Sequence, residues 1–84
     1  MFEVPLLIGG QSRAAADGRV FERRNPVTGA VVSRVAAATL EDADAAVAAA
    51  QAAFPAWAAL APNERRARLL KAAEQLAARA PEFL

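Results

Sequence analysis

Cysteine, histidine and tyrosine are all missing from these 84 residues, and there is a single lysine. Without cysteine the chain has no disulfide, no thiolate metal site and no thiol nucleophile, and its redox compartment stays open. With histidine and tyrosine gone as well, the general acids and bases that remain are carboxylates and Lys71, none of them placed in a recognisable pair. A catalytic triad cannot be built here. Long hydrophobic runs are also lacking. Val4 to Ile8 is too short for a signal-peptide core, no basic leader precedes it, and nothing approaches a membrane span, so the expected setting is soluble and cytoplasmic, with no membrane partner. Neither charge is in excess: ten basic against nine acidic residues leave a net charge of +1, which names no nucleic-acid partner.

What is present is alanine. The hydrophobic fraction is 56%, but alanine supplies much of it and buries little area per side chain. A chain of this size hides only about 60 to 65% of the surface it would expose unfolded, so its core is thin. One small domain is the upper bound.

Punctuation divides the chain into a β-like front and a helical back. Leu6-Leu7-Ile8 reads as a short strand ending at Gly9-Gly10, and Ser12 to Gly18 reads as a loop closed by the turn pair Asp17-Gly18. Val20 to Ala37 is best explained as a β-hairpin, because Asn25-Pro26-Val27-Thr28-Gly29 supplies turn chemistry between Val20/Phe21 and Val31/Val32/Val35. Pairing with the first strand would complete a short antiparallel β-meander over residues 4–37. Thr39 then marks a change of period. Its hydroxyl can accept from an amide three residues on, and Glu41, Asp42 and Asp44 crowd the positive end of a helix dipole. Leu40, Ala43, Val47, Ala50 and Phe54 share one stripe of this helix, which should stop near Ala53 because Pro55 forbids simple continuation, leaving Trp57 in the connector. Pro62 opens a second helix with Leu69, Leu70, Ala73, Leu76, Ala77 and Ala80 on one side and Arg65, Arg66, Arg68, Lys71, Glu74 and Arg79 on the other. Glu64 stands four residues ahead of Arg68, the favourable order for an ion pair. Residues 39–80 are therefore expected as an antiparallel helix pair, and residues 81–84 as the start of a truncated helix opened by Pro81 and broken off at Leu84. The fold class expected is α+β.

Each candidate site has a plainer explanation. Gly9-Gly10 lacks the further glycines opening a helix that a dinucleotide loop needs, so it serves better as a turn. Glu41, Asp42 and Asp44 point in different directions from successive helical positions, which suits dipole electrostatics and not a hard cation. Arg65, Arg66, Arg68 and Lys71, with Trp57 nearby, could face phosphates and a base, but Glu64 and Glu74 interleave with them as on a solvated helix face. Phe54 and Trp57 read as aromatic anchors. No catalytic, cofactor-binding or metal-binding residue is assigned.

In order and spacing, Leu6-Leu7-Ile8-Gly9-Gly10-Gln11, Phe21, Asn25-Pro26-Val27-Thr28-Gly29, Val31-Val32, Ala36-Ala37, Ala53-Phe54-Pro55-Ala56-Trp57, Glu64-Arg65-Arg66 and Leu69-Leu70-Lys71 resemble the amino-terminal region of the aldehyde dehydrogenase superfamily. Pro62 to Lys71 and Pro81-Glu82-Phe83 are most similar to its bacterial aromatic-aldehyde branch, as in salicylaldehyde or vanillin dehydrogenases. The resemblance implies a parent enzyme that oxidises an aldehyde to a carboxylic acid with NAD or NADP, using a cysteine nucleophile and a glutamate that both lie beyond these residues. It implies a structural role for this segment on the outside of the coenzyme domain, the rest of the chain as partner, and a homo-oligomer. Family members also hold a monovalent cation on main-chain carbonyls, which would fall around Arg23 and Arg24, where two guanidinium groups oppose it.

The alternative is a free-standing helical interaction module that binds a protein or nucleic acid through its arginine face. The two readings separate at the gene. In-frame continuation past Leu84 into a glycine-rich strand-turn-helix and a later cysteine is the expected result, whereas a stop codon there favours the module. In isolation the segment should leave apolar helix stripes exposed, or cover them with other copies, for instance by strand exchange.

Overall fold

The structure, a computed structural model, describes residues 2–83 and contains β1 (Phe2–Val4), β2 (Leu6–Ile8), β3 (Gln11–Arg13), β4 (Val20–Arg24), β5 (Val31–Ala36), α1 (Leu40–Ala59) and α2 (Pro62–Ala78). A short 3₁₀ turn at Ala80–Glu82 follows. The class is α+β, as expected. The chain divides into two compact units, Met1–Ala52 and Ala53–Leu84.

In the first unit the strands do not form the expected meander. Gly9 and Gly10 have φ of 60° and 79°, the pair of positive values that a two-residue type I′ hairpin turn requires. The chain therefore reverses at once, and β2 pairs antiparallel with β3: Leu6 opposite Arg13, Leu7 opposite Ser12, Ile8 opposite Gln11. Ser12 and Arg13, expected in a loop, are strand residues because ladder hydrogen bonds come from the backbone and need no apolar alternation. This hairpin stands as its own two-stranded sheet, and a second sheet has the order β1-β5-β4. Its parallel edge is β1, with Phe2, Glu3 and Val4 in register with Ser33, Arg34 and Val35. Pro5, unable to donate to a ladder, stands between the strand that joins one sheet and the strand that joins the other.

The β4–β5 hairpin matches the sequence reading. Phe21 faces Val35 and Glu22 faces Arg34, with an irregularity between Arg23 and Arg24. Its turn is held by Asn25: the side-chain Oδ1 accepts from the Val27 amide at 2.8 Å, and the main-chain carbonyl accepts from the Gly29 amide at 2.8 Å. Gly29 takes the positive φ of 74° that lets the chain return.

The first half of helix α1 meets the rest of the first unit at Asp42 and at small residues. Asp42 is buried, and Ala45 and Ala49, three and seven positions later on the same face, are half-buried. A Cβ added at Gly9 would lie 3.9 Å from the Ala49 Cβ, so the hairpin turn rests against that face. The larger side chains of the expected stripe, Leu40, Val47 and Phe54, are exposed by 87, 66 and 66%. Among the described residues the buried apolar side chains are just Ala15 and Ala36. Ser33 is fully buried on the central strand, and its hydroxyl has no partner.

The expected stop near Ala53 is wrong: α1 continues through Pro55 to Ala59, and Trp57 lies in its last turn instead of a connector. A proline ring is compatible with helical φ; what it removes is the hydrogen bond to the carbonyl four residues back. That carbonyl belongs to Gln51, an exposed residue, so water can take the place of the missing donor. Alanines at 52, 53, 56, 58 and 59 carry the helix across the gap at no propensity cost.

In the second unit α2 begins at Pro62, as expected, with Ala61 in extended conformation at its N-cap. The Ala61 carbonyl accepts from the Glu64 and Arg65 amides at 3.0 and 3.1 Å. Glu64, expected to pair with Arg68, has its carboxylate 3.4 Å from the Ala61 amide. At the far end Arg79 donates to Glu82 from Nη2 at 2.6 Å and from Nε at 3.0 Å, and the Phe83 amide closes the 3₁₀ turn on the Ala80 carbonyl at 3.0 Å. The expected helix start at Pro81 is thus a 3₁₀ turn over its described part, and Leu84 lies outside the described residues. None of the described side chains in this unit is buried.

Pro55→Ala restores a donor to the Gln51 carbonyl. We expect the variant to gain about 1 to 3 kcal/mol of helix stability, read as a higher melting midpoint by circular dichroism. An unchanged or lower midpoint would contradict the reading that the missing amide is what Pro55 costs this helix.

Candidate functional site

The best-connected polar group of the first unit is the Asp42 carboxylate, 1% exposed. Thr39 is the N-cap of α1: its Oγ1 accepts from the Asp42 amide at 3.2 Å, and its carbonyl accepts from the Ala43 amide at 3.1 Å. In return Asp42 Oδ2 accepts from the Thr39 amide at 2.9 Å and from the Thr39 hydroxyl at 3.0 Å. This is a capping box with aspartate at its third helical position. The same carboxylate reaches back along the chain. The Ala16 amide donates to both oxygens, at 3.2 and 3.1 Å, and Arg13 Nη2 donates to Oδ1 at 3.3 Å.

Those donors set its acidity. The Thr39 and then the Ala16 backbone amides hold the Asp42 pKa down from 3.8 to about 2, against the opposing pull of burial, with smaller help from the Thr39 hydroxyl and Arg13. Asp17, in the same loop, is also lowered, first by the Arg19 backbone amide, which it accepts at 3.0 Å. The sequence placed Thr39 at the helix start as a hydroxyl acceptor for the amide three residues on, which is what it does, and Asp42 there for the dipole; the inward turn of Asp42 to Ala16 and Arg13, while Glu41 and Asp44 stay exposed, was missed. The Thr-x-x-Asp spacing was the available signal.

The other candidates resolve into structural parts. Gly9-Gly10 closes a hairpin and opens no helix. Arg65 does not face solvent freely: its Nη1 donates to the Leu60 carbonyl at 2.6 Å and the Ala58 carbonyl at 3.3 Å, so it caps the end of α1. Arg68 is elsewhere, at a shallow slot with Ala53, Ala56, Trp57 and Leu60. Near the turn where the resemblance placed a cation, the Arg24 guanidinium takes the Gly29 carbonyl at 3.0 Å and meets Glu22 at 3.3 Å. Among the described residues no group of three acidic side chains is arranged to hold a metal ion.

The sequence model of the Aldehyde dehydrogenase family matches residues 13–84. The chain belongs to the aldehyde dehydrogenase family. It is 83% identical over 84 residues to a vanillin dehydrogenase of Pseudomonas fluorescens, covering all of this chain and 17% of that protein. It is 75% identical over 83 residues to a vanillin dehydrogenase of another Pseudomonas, covering 99% of this chain and again 17% of the relative. The crystal structure of a salicylaldehyde dehydrogenase from Pseudomonas putida, complexed with salicylaldehyde, superposes with a TM-score of 0.96 at 36% identity, over 99% of this chain and 17% of that one. The chain thus spans about one sixth of the length of the relatives it matches, and it corresponds to their amino-terminal segment.

The nicotinamide cofactor associated with this family does not fit the described residues. A dinucleotide site needs a glycine-rich strand-to-helix turn whose backbone approaches phosphate. Here the glycine pair joins two strands, and a Cβ at Gly10, Gly18 or Gly29 would meet nothing within 4 Å. At the start of α1 the Asp42 amide is already taken by Thr39.

The lowered Asp42 pKa fixes the sign of a pH effect. Its contribution to stability is complete above the unfolded value near 3.8 and is lost as pH falls toward about 2. We expect the melting midpoint of the first unit to drop across that window, and Asp42→Asn to lower the midpoint at neutral pH while flattening the acid limb. A variant that melts like the parent at pH 7 would remove the carboxylate from its structural role.

Proposed function

We propose that this chain is the structural amino-terminal segment of an NAD(P)-dependent aldehyde dehydrogenase acting on a vanillin-like aromatic aldehyde, oxidising it to the carboxylic acid. The observation that carries the reading is the 83% identity with a vanillin dehydrogenase along the whole chain, within a relative that extends far beyond it. On this reading the cofactor site, the nucleophile and the general base belong to the remainder of the parent chain, and the 84 residues turn over no substrate alone. The helices of residues 39–80 then serve as surface for the coenzyme domain, within a cytoplasmic homo-oligomer. Among the described residues no helix is long and apolar enough to cross a membrane.

The surface supports a docking role. In the second unit Phe54, Leu69, Leu70, Leu76 and Phe83 are exposed by 50 to 66%. Complete burial of such a side chain is worth about 1.5 to 3 kcal/mol, and at these exposures roughly half of that is still to be gained. The arginine-face alternative loses ground because Arg65 is engaged as a cap and Arg79 with Glu82.

The test is an exchange. This chain replaces the matching segment of the Pseudomonas fluorescens vanillin dehydrogenase, and vanillin-dependent reduction of the nicotinamide cofactor is followed. The chimera is expected to be active and the isolated chain inert. Turnover by the isolated chain, or a folded chimera that binds cofactor but does not oxidise vanillin, would overturn the proposal.

A further inference from the structure

We draw no further inference here: the strongest candidate, the shallow apolar slot that Ala53, Ala56, Trp57 and Leu60 form with the Arg68 guanidinium at the turn between α1 and α2, is an unpartnered surface patch, and nothing in the structure shows what covers it.

Discussion

The first unit hangs on one buried carboxylate. Asp42 accepts from the Thr39 amide and hydroxyl, from the Ala16 amide and from Arg13, and so ties the start of α1 to the end of β3 and to the loop beyond it. A charge removed from water is costly unless its lone pairs are satisfied, and here two of the four donors are backbone amides, with a hydroxyl and a guanidinium completing the set. With two buried apolar side chains among the described residues, hydrophobic packing alone holds little of this unit in place. The polar node supplies the long-range connection that a thin, alanine-rich core does not.

Legibility followed the physics of each element. The Asn25 to Gly29 turn and the starts of both helices were readable because their signals are local: side-chain acceptors, a fixed proline φ and a glycine with positive φ. Beyond the β4–β5 hairpin, the pairing of the strands was not. Gln11-Ser12-Arg13 has no apolar alternation, so nothing in its side chains announces a strand; the two-residue reversal at Gly9-Gly10 creates it. The parallel partnership of β1 with β5 joins residues about thirty positions apart, and no local pattern encodes it. Pro55 misled for a related reason, since propensity treats proline as a stop while an exposed helix can leave one carbonyl to water.

The site was half legible. Thr39 and Asp42 could be placed at a helix start, but the inward reach to Ala16 depends on where β3 ends, which is tertiary information. The apolar stripe of α1 shows the same limit from the other side. Leu40, Val47 and Phe54 looked like the natural packing face, yet they are exposed, while Ala45 and Ala49 are half-buried and the Gly9 turn comes close to Ala49. In the first unit the buried apolar side chains are small, and large ones such as Leu40 and Val47 stand exposed. That inversion agrees with a family member whose described residues cover one sixth of its relatives' length.

The most direct test is a carboxyl-detected NMR titration of Asp42 in the 84-residue chain, followed together with the Ala16 and Thr39 amide resonances. The account predicts a carboxyl midpoint near 2, with both amides shifting at that same midpoint as their acceptor is protonated. A midpoint at the ordinary 3.8, with the Ala16 amide indifferent to it, would contradict the claim that this carboxylate joins the strand end to the helix.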